Sequence, residues 1–196
     1  MPDPRIVVLA SGAGTLLQAL LDSEIRRLIV AVGSDQPEAA ALARARAADV
    51  PTFVVPMAED REGWNTDLVE HLQAHGADLV VTAGFMRVLG GPVIEAFENR
   101  VINSHPALLP SFPGAHAVRD AVESGVKVTG CTIHIIDDGV DTGPIIAQCP
   151  VAVDDGDTVE SLHERIKERE RRLLVDVLGL IVREGVSVHG RTVAFG

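Results

Sequence analysis

The chain has no tyrosine, one tryptophan and five phenylalanines, so aromatic residues fill only 3% of its 196 positions. Stacking platforms for single-stranded nucleic acid are therefore almost absent. Basic residues are also few: 17 Lys and Arg stand against 28 Asp and Glu, a net charge of −11 that repels a phosphate backbone at long range. Both shortages argue against a nucleic-acid partner. The two cysteines, Cys131 and Cys149, lie in or beside apolar runs without Cys-x-x-Cys spacing. Neither a zinc site nor a disulfide framework is indicated, no metal is expected, and both read as buried thiols of a reducing compartment. No apolar run approaches the ~20 residues that a bilayer span needs, and the Met1-Pro-Asp-Pro start lacks a signal peptide's order of basic then apolar residues. The expectation is a cytoplasmic protein without membrane contact.

What the chain does have is core. Hydrophobic residues make up 46% and charged residues 23%, enough for one packed domain or two small, tightly joined halves. Apolar, β-branched runs at 6–9, 28–32, 52–55, 79–82 and 101–102 alternate with helical patterns at 15–23, 37–48, 62–75 and 91–98. That rhythm predicts an α/β fold, a parallel sheet covered by helices on both faces, with ligands at the carboxyl ends of the strands. In the second half, runs at 129–136 and 144–153 flank Asp137-Asp-Gly-Val-Asp-Thr-Gly143. This Gly- and Asp-rich connection suits a hairpin or folded loop, so the sheet is expected to continue with antiparallel strands. A long helix is predicted over 158–183, with Asp157 as cap and Glu160 at the capping-box position.

The first strand runs straight into Ser11-Gly-Ala-Gly14, followed by Thr15, Leu16, Leu17 and Gln18. Glycines let backbone approach a ligand closely, and a helix start offers unpaired N–H groups to an anion. Thr15 and Gln18 have the spacing of a capping box. The plain alternative is a tight strand-to-helix turn. Asp35, at the end of strand two, suits the acidic ribose ligand of a dinucleotide site, but Leu17 stands where that fingerprint requires its third glycine. The loop therefore suggests a phosphate of mononucleotide type.

The strand at 101–102 continues into Asn103-Ser-His105 and three prolines at 106, 110 and 113. Alternation along a strand puts Asn103 and His105 on one face and Ser104 on the other. Ser104 is thus poorly placed to use His105 as its base, and a Ser-His nucleophile is disfavoured. Asn103 suits an oxyanion donor, and His105 donates as imidazolium or moves a proton. Such a histidine needs a carboxylate to orient its ring; on spacing alone Asp137, Asp138 and Asp141 all compete for that role. Turn chemistry accounts equally well for all three aspartates. His71 and His75 have the i, i+4 spacing of a metalloprotease helix without its Glu, and read as solvated; His116 and His134 read as supporting or core residues. On the last helix Val159, Leu162, Ile166, Leu173 and Val177 form a stripe, and at ~100° per residue Glu170 falls inside it. A carboxylate aimed inward requires a partner; the plain alternative is that it pairs with a neighbouring arginine.

Taken together, Ser11-Gly-Ala-Gly14, Ala83-Gly-Phe-Met-Arg87, Asn103-Ser-His-Pro-Ala-Leu-Leu-Pro-Ser-Phe-Pro-Gly114, Gly130-Cys-Thr-Ile-His134 and Asp141-Thr-Gly-Pro144 resemble the phosphoribosylglycinamide formyltransferases, folate-dependent enzymes of purine synthesis. The resemblance spans nearly the whole chain. It implies one formyltransferase domain over 1–196, with a Rossmann-like phosphate-binding half at 1–100 and a catalytic, folate-binding half at 101–196. The implied donor is 10-formyltetrahydrofolate and the acceptor is the amine of 5′-phosphoribosylglycinamide, which attacks the formyl carbonyl without an acyl-enzyme. Asn103 and His105 would stabilise the oxyanion, and Asp141 would hold His105 charged and pass protons through water. Ser11, Gly12, Ala13, Gly14, Thr15 and Leu16 would hold the ribose phosphate, and Glu170 would bind the substrate amine. Arg61, Met86, Arg87, Val88 and Leu89 would form the folate side, together with Asn103 and the loop of Asp137, Asp138, Gly139, Val140 and Asp141.

Two positions depart from the family pattern. Thr15-Leu16 stands where Ser-Asn is frequent, so an amide contact is lost and backbone N–H groups must hold the anion. Ser104 replaces an apolar residue. A formyltetrahydrofolate hydrolase is the nearest rival, but such enzymes carry an N-terminal regulatory domain, and here the first strand starts at once. A methionyl-tRNA formyltransferase needs a C-terminal tRNA-binding domain for which 196 residues leave little room. A non-catalytic nucleotide-binding sensor leaves Asn103, His105, Asp141 and Glu170 without a shared purpose. Small-molecule substrates are the expected partners, and a homodimer stays open, since both monomers and dimers occur among such enzymes.

Overall fold

The computed structural model describes residues 3–196. The chain divides into two compact units, Met1–Asn103 and Ser104–Gly196, against the division expected after residue 100.

In the first unit the predicted apolar runs form β1 (Ile6–Leu9), β2 (Ile29–Ser34), β3 (Thr52–Val54), β4 (Leu79–Thr82) and β5 (Val101–His105), the last of which carries the chain into the second unit. They pair in parallel in the order β3-β2-β1-β4-β5, with Val8 opposite both Val32 and Val81. All four residues of β1 are 0% exposed. A strand buried on both faces needs helices on both, and they are supplied by α1 (Thr15–Leu21) packed on α2 (Ala40–Ala47), and by α3 (Arg61–Ala74) packed on α4 (Gly91–Ala96). Leu28, expected in the second strand, ends a 3₁₀ turn over Glu24–Leu28, which the Ser23 hydroxyl caps by accepting from the Ile25 N–H at 3.2 Å.

The second unit contains α5 (Ala117–Glu123), β6 (Val128–Ile135), β7 (Ile145–Ala152), α6 (Val159–Glu184), β8 (Val186–His189) and β9 (Thr192–Phe195). β6 and β7 pair antiparallel as expected; α5 and the short β8–β9 hairpin were not anticipated. β9 adds to β7 in parallel through Ile145 and Thr192. α6 buries Leu162, Ile166, Leu174, Val177, Leu178 and Ile181 along one stripe; Leu174 rather than Leu173 is the fully buried member. Leu162 and Ile166 meet Val118, Cys131 and Val151 in this unit's core. Each such aliphatic side chain contributes roughly 1.5–3 kcal/mol by leaving water. Cys131 and Cys149 face each other across β6 and β7 as free thiols, Cys149 only half buried. Burial, ahead of the nearby Glu170 charge, pushes the Cys131 thiol up to about 12.

Both expected helix caps are corrected. α1 starts after Gly14 with no side-chain cap; Gln18 instead donates to Asp22 at 2.9 Å and accepts from Arg44. The cap of α6 is Thr158, whose side chain accepts from the Ser161 N–H at 3.2 Å while Ser161 accepts from the Thr158 N–H at 3.0 Å. Asp157, one residue earlier, accepts from the Ser161 hydroxyl instead. No helix among the described residues is long and apolar enough to cross a membrane.

Candidate active site

The glycine loop follows β1 directly. Gly14 has φ +69°, and a Cβ there would stand 2.8 Å from the Cα of Ala41, so conformation and space both demand glycine. The loop is held from α2: the Ala41 N–H donates to the Gly12 carbonyl at 3.0 Å, and Arg44 Nε donates to the Ala13 carbonyl at 2.8 Å. Leu16 is 8% exposed, so its side chain belongs to the core and only its backbone can serve a ligand.

A second loop, 83–90, leaves β4 in the same unit. Asn65 on α3 pins it by accepting from the Gly90 N–H at 2.7 Å, and Arg61 Nη2 donates to the Val88 carbonyl at 2.6 Å while its guanidinium lies 5.0 Å over the Trp64 ring. Met86 and Val88 are left 69% and 59% exposed, large apolar side chains turned to solvent. Beside them lies a cavity of about 490 Å³ lined by Arg61, Asn65, Val88, Leu89 and Pro92 among others, a size that suits a small ligand. Arg87 forms an ion pair with buried Asp35.

On β5 the Thr82 hydroxyl donates to Asn103 Oδ1 at 2.7 Å and so fixes the orientation of that amide. Two residues on, His105 is buried; its Nε2 donates to the Phe112 carbonyl at 2.8 Å and its Nδ1 lies 3.3 Å from Asp141 Oδ2. Both ring nitrogens thus face oxygen acceptors. Asp141 also accepts from the Gly114 N–H at 2.7 Å, and its Oδ1 lies 3.6 Å from Nε2 of buried His134. Burial opposes the charged form of Asp141, but hydrogen bonds from His134 and the Gly114 N–H, together with the imidazole charges, outweigh it and hold the carboxyl below its usual range. Phe112 and Asp141, the two partners of His105, both have left-handed backbones, φ 55° and 54°, unusual for non-glycine residues. A Cβ at Gly143 would stand 1.8 Å from the Ile135 carbonyl oxygen, which is why the turn after Asp141 reads Thr-Gly-Pro.

Among the three competing aspartates, geometry thus selects Asp141 as the partner of His105. Asp137 is a turn residue that accepts from the Gly139 N–H at 3.2 Å and the Thr142 hydroxyl at 2.6 Å. Ser104, pointing the other way along β5, donates to Glu170 at 2.7 Å. Glu170 is 4% exposed, and its partner is this hydroxyl, not the arginine of the plain alternative. Burial raises the Glu170 pKa, with the Ser104 hydrogen bond opposing. His71 is exposed and His75 half-buried, as expected of surface residues, and both also stack on Phe53, at ring distances of 5.1 and 5.0 Å. Neither the Phe112 carbonyl, nor Arg44, nor the Asp35–Arg87 pair is signalled by any spacing or motif along the chain. His134 was readable only as a supporting residue; a register shift between Ile133 and His134 on β6 is the local feature that accompanies its placement.

The chain matches the formyl transferase family model over residues 4–178. It is 51% identical over 197 residues to the phosphoribosylglycinamide formyltransferase of Mycobacterium tuberculosis strain H37Rv, covering 98% of this chain and 91% of that protein. The chain belongs to the formyl transferase family. The structure superposes on glycinamide ribonucleotide transformylase 1 from Symbiobacterium toebii with a TM-score of 0.95 at 44% identity, covering 98% and 94% of the two chains. A further relative is the trifunctional purine biosynthetic protein adenosine-3 of Bos taurus, 42% identical over 190 residues that make up 94% of this chain and 19% of that one. For a formyl transferase the arrangement is chemically apt: amide and imidazole N–H groups can serve a developing oxyanion, and among the described residues the partners of His105 are the Phe112 carbonyl and Asp141, not a serine or cysteine nucleophile.

Proposed function

We propose that the chain transfers the formyl group of 10-formyltetrahydrofolate to the amine of 5′-phosphoribosylglycinamide, a step of purine synthesis. The observation that carries this reading is the His105–Asp141 pair at 3.3 Å, two residues along β5 from Asn103. In the proposed reaction the free amine attacks the formyl carbon, and the carbonyl π electrons move to oxygen. Asn103 and His105 donate to that oxyanion, which replaces the Phe112 carbonyl as acceptor for His105. A proton then passes from the new ammonium, through Asp141 and water, to N10 of the folate as the C–N10 bond breaks. Residues Ser11 to Leu16 hold the ribose phosphate through backbone N–H groups, and Glu170 binds the amine. Arg61, Met86, Arg87, Val88, Leu89 and the Asp137–Asp141 loop receive the folate, and residues 1–196 act as one catalytic domain.

The M. tuberculosis relative, aligned over 98% of this chain, is named a transferase, so the hydrolase and sensor readings are not favoured. The test is the ultraviolet change as 10-formyltetrahydrofolate loses its formyl group, recorded with and without phosphoribosylglycinamide. Loss that requires the amine is expected. Loss without it would mean hydrolysis, and no loss in either case would leave a binding protein.

A further inference from the structure

Asp35 lies just after β2 with a fully covered side chain, and the reaction proposed above has no use for it. Its Oδ2 accepts from Arg87 Nε at 2.6 Å and from Gln36 Nε2 at 3.0 Å. Its Oδ1 is buried and has no well-aligned hydrogen bond. The carboxylate is covered yet shallow: burial is the largest influence and opposes ionisation, but the hydroxyl of Ser11, the Gln36 amide and Arg87 together hold its pKa below the usual range. The Ser11 hydroxyl in turn accepts from the Met86 N–H at 2.8 Å, and the Ser11 N–H donates to the Gly84 carbonyl at 3.1 Å. One buried charge therefore bonds a side chain of the 83–90 loop directly and acts electrostatically on the hydroxyl of Ser11, the first residue of the glycine loop. The two loops are also bonded directly to each other.

We infer that Asp35 is a positioning residue that clamps the glycine loop to the 83–90 loop, so that the phosphate-bearing acceptor and the formyl donor each bind to a site the other's loop helps to hold. The inference rests on the function proposed above for these two loops. Its physical basis is an unequal pair. Arg87 is 35% exposed and free to move if released, whereas Asp35 is covered, so loss of the charge frees the arginine and slackens Ser11. Coupling of this kind is reciprocal: whichever substrate binds first and stiffens the clamp lowers the ordering cost for the second.

The test is Asp35→Asn, which preserves shape and removes charge. Expected is a rise of about tenfold in KM for both phosphoribosylglycinamide and 10-formyltetrahydrofolate, with kcat at saturation within about twofold of wild type. Faster hydrogen exchange of the Met86 amide should accompany it, since that N–H is bonded to Ser11. Asp35→Glu, which keeps the charge, should restore part of both KM values. A rise in one KM alone, or a fall in kcat with both KM values unchanged, would overturn the clamp. Should Asp35→Asn not fold, Arg87→Gln releases the same pair from its exposed side, and unchanged Met86 exchange in that variant would overturn it as well. If the wild type transfers no formyl group, the functional reading fails on its own, and Met86 exchange alone then decides whether Asp35 clamps the loops.

Discussion

Replacing Asp141 with asparagine preserves the side chain's shape and its acceptor for the Gly114 N–H, but removes the charge facing His105 at 3.3 Å. Turnover is expected to fall by about 10²-fold or more, the scale seen when a general acid loses its partner, with KM values changed far less. Near-normal kcat would remove Asp141 from the mechanism. Glu170 allows a test by stability. Burial raises its pKa in the folded chain, so the stability it contributes is fully present below the unfolded pKa and is lost as pH rises through the folded value. Glu170→Gln carries no such charge. The difference in unfolding free energy between variant and wild type should therefore move in favour of the variant from pH 4 to pH 8, by up to about 1.4 kcal/mol for each unit separating the two pKa values, and the Tm difference should follow it. A difference independent of pH would show that Glu170 ionises in the fold as easily as in water. At this scale Asn103, His105 and the inward turn of Glu170 were legible because strand and helix periods fix which way a side chain points. The partners were not: the Phe112 carbonyl belongs to the backbone, and three aspartates with equal claims on spacing differ only in the loop's path.

α6 shows what element-level reading can and cannot resolve. Its 26 residues announce themselves by an apolar stripe from Leu162 to Ile181, long enough to average over single exceptions. Its start was misplaced by one residue because Asp157 and Thr158 are both good caps, and both Glu160 and Ser161 can reach back. The Thr158–Ser161 reciprocal pair predicts that Thr158→Ala costs about 1 kcal/mol, seen as a Tm lower by about 2–4 °C. The same loss on Asp157→Ala with none at Thr158 would return the cap to Asp157. α5 and the β8–β9 hairpin were missed for a related reason: seven and four residues are too few for a period to stand out, and such elements are held by what they pack against.

Across the whole chain the acidic balance is the most legible property, and it sets a problem for a protein proposed to bind two anionic substrates. The cations near the candidate loops do not remove it. Arg87 is neutralised by Asp35, Arg44 is engaged with the Ala13 carbonyl and Gln18, and Arg61 is tied to the Val88 carbonyl and Met57. With a net charge of −11, long-range repulsion should therefore dominate the approach of substrate at low salt. Screening shortens that repulsion from about 30 Å at 0.01 M ionic strength to about 8 Å at 0.15 M. Contacts inside a loop held by backbone N–H groups are screened far less. The expected outcome is that kcat/KM for phosphoribosylglycinamide rises by roughly two- to fivefold between those ionic strengths while kcat stays level. A fall over the same range would mean that Arg44, Arg61 or Arg87 is released from its present partners to attract the substrate, and would place the local field above the net charge in governing encounter.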